Sequence, residues 1–195
     1  MKVNFVKTFI PAKNFVAVEK VGNKILVRFD AVKDADMDAY SCVEGSVSAS
    51  EYNEQEVRRE YEAWKQKWAE KALVLAKKAK IAEIAAYDTS DKVNGFMLNG
   101  LLVWLDKATR VGLMNSTTIA KSAGQKTTTL WLGGIKLVVD CDKAIQLLSA
   151  LEMYALECFN VTASHKQAVS ELATIEEVEA YDYKAGYPKM LEMSV

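Results

Sequence analysis

The chain holds one histidine, His165, and three cysteines, Cys42, Cys141 and Cys158. A single histidine excludes a His-rich zinc site, and the cysteines are too scattered to suggest a Cys-based one. An odd count without a CxxC pair fits a reduced history and not a disulfide framework. No run approaches the roughly 18 apolar residues of a membrane span. The opening MKVNFVKTFIPAKN does not read as a signal peptide, since Lys7 and Pro11 interrupt any apolar segment. There is no GxxxxGK[ST] phosphate loop, no GxGxxG after a strand and no GxSxG elbow. A net charge of −1 removes the overall electrostatic basis for nucleic-acid binding. The expectation is a protein with no metal, no cofactor, no nucleic-acid partner and no membrane span, placed in a bacterial cytoplasm.

What is present is globular composition. Half of the 195 residues are hydrophobic and 26% are charged, which predicts a sizeable core in one ordinary domain or two small ones. The pattern predicts an α+β chain in three parts, with an N-terminal small β-module over 1–50. Val3, Phe5, Lys7 and Phe9 alternate, and Phe15–Val18 and Lys24–Phe29 flank Gly22-Asn23, a hairpin signal. Tyr40–Val47 is a further short strand. Four short strands without a helix bury little, so the module is expected to lean on a partner surface. Ser46–Ser50 reads as a linker.

Residues 51–86 read as one long amphipathic helix, capped by Ser50 or by Asn53 with Glu56 three residues on. Val57, Tyr61, Trp64, Trp68, Ala72, Leu75, Ala79, Ala82 and Ala86 form an apolar stripe. Either the helix packs on its own domain or it is a coiled-coil stalk that makes a homo-oligomer, although the stripe is not a clean heptad. Trp64 and Trp68 lie one turn apart on one face and need a cover, from another element or another chain.

Residues 87–195 read as two β-hairpins packed with three or four helices. Asn99-Gly100 and Gly133-Gly134 sit between apolar runs and predict tight hairpin turns. Asp106 is expected to cap a helix to about Ala123, with Arg110 one turn on as its ion-pair partner, and Gly124 to end it. Asp140 or Asp142 caps a helix from Lys143 to about Leu172, whose apolar face runs through Leu148, Leu151, Tyr154, Cys158 and Phe159. Thr174 with Glu177 forms a capping box for Ile175–Tyr181. Tyr183, Gly186, Tyr187 and Pro188 make a tail that turns back.

Catalytic chemistry is thin. Carboxylate pairs, Glu152 with Glu157 or Asp140 with Asp142, are the one class the composition leaves open, and caps and helix faces account for such acids. His165, in the run Ser164-His165-Lys166-Gln167, reads as solvated surface. Trp104 and Trp131 read as core between sheet and helices. Tyr181, Tyr183 and Tyr187 either cover the core or offer a partner contact area with a polar tip. With Trp64 and Trp68 they are the candidate partner-binding residues.

The run WLDKATRVGL, then TTLW, then LSALEMYALECFNVT, then EEVEAYDYKAGYP resembles a phage and prophage domain of unknown function. That domain stands C-terminally in tail fibre, tail fibre assembly and other tail-region proteins, and the resemblance spans about 81–191. It implies a non-enzymatic tail-region protein acting by protein–protein interaction, either an assembly chaperone or a fibre or baseplate component. Its partners would then be tail fibre or tail proteins, and its place the host cytoplasm during assembly or the virion. The alternatives are a tail-associated glycan hydrolase built on carboxylates and a small phage protein acting on a host factor.

Overall fold

The strand periodicity and turn chemistry of the N-terminal part produce a four-stranded antiparallel sheet in the computed structural model, which describes residues 3–195. The strands are β1 (Phe5–Pro11), β2 (Val18–Val21), β3 (Lys24–Asp34) and β4 (Ala39–Ser48), in the order β1-β4-β3-β2. Gly22, at φ 57°, turns the β2–β3 hairpin with Val21 opposite Lys24. The sheet register shifts between Phe29 and Val32, where Asp30 adopts φ 51°. Ser46 to Ser48 belong to β4 and do not form a linker, because Leu26 and Lys24 of β3 pair with Ser46 and Ser48.

Two compact units divide the chain, Met1–Ala76 and Lys77–Val195. The division falls inside a helix that sequence periodicity alone could not cut. The helical stretch is also broken: α1 (Glu54–Arg59) and α2 (Tyr61–Asp88) meet at Glu60, which leaves helical geometry at φ −99°, ψ 17°. Asn53 is the cap, its side chain accepting from Gln55 N at 2.8 Å; Ser50 instead bonds Ser48.

In the first unit the sheet finds its cover within the chain. Ile25, Val27 and Phe29 are fully buried, with Val57 of α1 and Trp68 of α2 also in the core. Trp68 packs edge-on against Phe5, ring centroids 5.6 Å apart, and lies where a Cβ on Gly45 would meet its ring at 2.4 Å. Only a glycine on β4 admits the indole there. The Tyr61 hydroxyl donates to Arg28 O at 2.6 Å. Arg28 is itself buried in β3, bonded to Glu44, Glu19 and Val16 O, each at 2.8 Å. Burial alone would lower the guanidinium pKa, but the bonds to Glu44 and Glu19 outweigh it and leave it raised.

The second unit follows the turn residues. After α3 (Asp91–Asn94), β5 (Gly95–Leu98) and β6 (Leu101–Trp104) form a hairpin. Asn99 and Gly100 both take positive φ, 50° and 80°, as a tight primed turn requires. β7 (Thr127–Leu132) and β8 (Ile135–Asp140) form the second hairpin around Gly133 and Gly134, at φ 56° and 89°. Between them α4 (Lys107–Ser122) ends at Gly124, where Gln125 N bonds Ala120 O and Gly124 N bonds Lys121 O. This double closure satisfies the last carbonyls.

Asp140 caps α5 (Cys141–Glu171), accepting from Asp142 N and Lys143 N. Thr174 and Glu177 form the capping box of α6 (Ile175–Ala180). A strand absent from the sequence reading, β9 (Leu191–Met193), pairs parallel with β5 and makes a three-stranded sheet, order β6-β5-β9. The core holds Phe96, Leu98, Leu130, Leu132, Leu148 and Leu151. The chain is an α+β protein, and no helix among the described residues is long and apolar enough to cross a membrane.

Candidate functional site

The side chains that remain outside the core of the second unit show where it can meet something else. Trp104, at the end of β6, is 39% exposed, and Leu156 and Phe159 on α5 are 51% and 60% exposed. The sequence reading placed Trp104 and Phe159 in the core. Leu148, Leu151, Tyr154, Ala155 and Cys158 are the α5 residues buried instead. One helical face suffices for the core, and Phe159 lies beyond its edge. Trp131 is exposed as well. It points away from its neighbours Leu130 and Leu132, which are buried, because successive strand residues face opposite sides.

Trp104, Leu156 and Phe159 line one open cleft of about 380 Å³. Its polar lining comes from the end of α2 (Asp88), the start of α4 (Asp106, Lys107, Arg110) and the middle of α5 (Glu152). Each has a local reason to be there. Asp106 caps α4, its Oδ1 accepting from Thr109 N at 2.9 Å and its Oδ2 from Thr109 Oγ1 at 2.6 Å. The side-chain bond from Thr109, with the backbone bonds behind it, holds this carboxyl below its ordinary pKa.

Arg110 does not pair with Asp106. Its Nε donates to Glu152 Oε1 at 2.8 Å and its Nη1 to Leu105 O at 2.8 Å. Thr109 already occupies the cap carboxylate, and α5 brings a second acid within reach. Asp88 Oδ1 accepts from Thr162 Oγ1 at 2.8 Å, and Asp88 O accepts from Asn94 Nδ2. Asp88, Asp106 and Lys107 have no ion-pair partner among the described residues.

The other acids considered for catalysis do not share this cleft. Asp140 is spent on capping α5. Asp142 pairs with Lys121, and that bond raises the lysine pKa. Glu157 is on the exposed side of α5. Among the described residues no cluster of three or more His, Cys, Asp or Glu is arranged to hold a metal ion. The cysteines are buried and free. Burial pushes the Cys158 thiol and the Tyr154 phenol up, and both donate to the same carbonyl, Val93 O, at 3.1 and 2.8 Å.

The candidate partner-binding tyrosines are half-buried and engaged within the second unit. Tyr187 bonds Thr162 at 2.9 Å, and Tyr183 and Tyr187 both pack edge-on to Tyr87. Tyr181 OH meets His165 Nδ1 at 2.8 Å, while His165 Nε2 meets Ala185 O at 2.9 Å. His165 is therefore a tie between α5 and the C-terminal tail and not solvated surface. Its two partners lie 16 and 20 residues away, beyond any local pattern.

In the first unit Trp64 is half-buried, edge-on to Tyr52 and Trp68. It lines an open cleft of about 500 Å³ with Lys67 and Lys71. Trp68 is buried against the sheet and leaves Trp64 as the indole with surface to offer.

Compared with known proteins, residues 75–185, more than half of the chain, match the family model described as a domain of unknown function, DUF4376. No curated protein and no solved structure matches.

Proposed function

The chain belongs to the DUF4376 family, a domain of unknown function, and from that premise we propose that it is a non-enzymatic bacteriophage tail-region protein that works by binding other proteins. Two things support this reading. The motifs WLDKATRVGL through EEVEAYDYKAGYP resemble a domain of phage tail fibre and tail fibre assembly proteins. The carrying observation is the cleft of the family domain, where Trp104, Leu156 and Phe159 keep 39–60% of their surface exposed side by side with charged groups. Apolar surface gathered at a polar-rimmed cleft marks an interaction site. Tail fibre or tail proteins are the proposed partners. The place of action is the host cytoplasm during assembly, or the virion if the protein stays in the particle.

A tail-associated glycan hydrolase is the rival from another class. It needs two acids facing each other across a cleft with one free to donate a proton. Here Asp106 is held as a helix cap, Asp88 accepts from the Thr162 hydroxyl and Glu152 is tied to Arg110, which favours the binding reading.

The test is complementation of a phage lacking the gene. The double substitution Leu156→Ser, Phe159→Ser should fold normally and fail to restore infective particles, and Glu157→Gln, Asp140→Asn and Asp142→Asn should restore them. Full infectivity with the serine variant, or its loss with one folded acid variant, would overturn the proposal. Mass spectrometry of purified particles then separates a component, which is present, from an assembly chaperone, which is absent.

A further inference from the structure

We propose that the cleft of the second unit takes a basic side chain, arginine or lysine, flanked by apolar residues of a partner polypeptide. The inference rests on the interaction reading above and gives that interaction its chemistry. The lining decides the charge of the guest. Three carboxylates, Asp88, Asp106 and Glu152, face two cations, Lys107 and Arg110. Arg110 and Glu152 neutralise one another at 2.8 Å, so two acids remain against one lysine.

The Asp88 carboxylate accepts from the Thr162 hydroxyl and the Asp106 carboxylate from the Thr109 hydroxyl and backbone N–H, so no cation among the described residues pairs with either. Arg110 is fixed twice, by Glu152 and by Leu105 O, and cannot swing out to cancel them. An acidic guest would meet this excess of negative charge.

The walls decide the rest. Trp104 and Phe159 present aromatic surface at the same cleft. Aromatic faces attract ammonium and guanidinium groups, arginine most often, and the pairing strengthens as water is displaced. The aliphatic stem of such a side chain also covers apolar surface while its head stays polar. Leu156 and the flank of Phe159 are left for the guest's apolar neighbours. At about 380 Å³ the cleft sits near the lower end of ligand sites, a size for one side chain with its neighbours.

The full chain is titrated with three end-capped tripeptides, leucine-arginine-leucine, leucine-norleucine-leucine and leucine-glutamate-leucine, and with N-acetylglucosamine. The readouts are the indole N–H resonance of Trp104 by NMR and the dissociation constant. The arginine peptide should shift the Trp104 signal saturably and bind at least tenfold tighter than the glutamate peptide. That ratio should shrink as salt is raised. Asp106→Asn, which keeps the cap, should weaken the arginine peptide several-fold. Phe159→Ser, at an exposed position, should weaken it without touching the fold.

Equal binding of the norleucine and arginine peptides would overturn the proposal in favour of a purely apolar groove. Preferential binding of N-acetylglucosamine would overturn it in favour of a saccharide site, and no shift with any probe would overturn it outright. The interaction reading fails separately, on complementation: a serine variant that restores infective particles sinks it whatever the peptides do.

Discussion

Arg110 on α4 and Glu152 on α5 meet at 2.8 Å, with the guanidinium side chain only 9% exposed and the carboxylate 35% exposed. The two residues, 42 apart in sequence, join the two helices and form part of the cleft lining. A buried charge that loses its partner is costly, whereas a pair replaced together by apolar groups can be nearly neutral. Glu152→Gln should therefore destabilise the second unit. The carboxylate is partly solvated, so the low end of the range for charged hydrogen bonds applies, about 1–2 kcal/mol. The double change Arg110→Met, Glu152→Leu should cost less than the sum of the singles. Urea denaturation of all three variants checks this, and additive losses would refute the coupling.

Gly45 and Gly112 should respond oppositely to alanine. At Gly45 a Cβ would stand 2.4 Å from the Trp68 ring, which is locked against Phe5 and Trp64. Overpacking of this kind costs about 1–3 kcal/mol. At Gly112, inside α4, a Cβ meets nothing within 4 Å, so Gly112→Ala should stabilise by about 0.5–1 kcal/mol. Thermal melts of the two variants give the signs directly.

Tyr187→Phe removes the bond to Thr162 and keeps the ring against Tyr87. It should cost about 0.5–1.5 kcal/mol, read by chemical denaturation. Tyr187→Ala should cost more, because the ring packing goes as well. A loss of infectivity in that variant would then follow from folding and says little about partners, so Leu156 and Phe159 are the better probes of binding.

Two capping carboxylates make part of the stability acid-sensitive. Asp106 is held below its ordinary 3.8 by the Thr109 bonds. Glu177 is held below its ordinary 4.5, first by the backbone N–H of Ala173 and then by that of Thr174. A depressed folded value means that the unfolded chain binds the proton more readily. Their contribution is thus complete above the ordinary values and is lost as pH falls through the folded ones. Unfolding followed from pH 5 downward should show falling stability, and Asp106→Asn, which caps without titrating, should flatten the slope.

The hairpin turns, the Asp106 and Asp140 caps, the Thr174 capping box and Gly124 were legible because each is a local signal spanning a few residues. What escaped the sequence needed distant partners. β9 pairs with a strand nearly a hundred residues away, and Arg28 is buried only because Glu19 and Glu44 flank it across the sheet. The stripe on the long helix was read with one period throughout. Trp68 and Ala72 are buried, but Ala79, Ala82 and Ala86 are exposed and Ile84 takes their place. The helix therefore does not bury one continuous stripe within the chain. The cleft was half visible: Asp106, Arg110 and Glu152 were each noticed, but their convergence with Asp88, Trp104 and Phe159 depends on how the α2 end, α4 and α5 meet.

The central claim is that the cleft of the family domain binds a tail protein. Its most direct test is a photo-crosslinking amino acid at position 159, introduced in cells that are assembling phage particles, with the crosslinked partner identified by mass spectrometry. The account predicts a discrete product containing a tail fibre or tail protein, formed from position 159 and not from the exposed position 119, which does not line the cleft. No product at 159, or the same products from both positions, would contradict it.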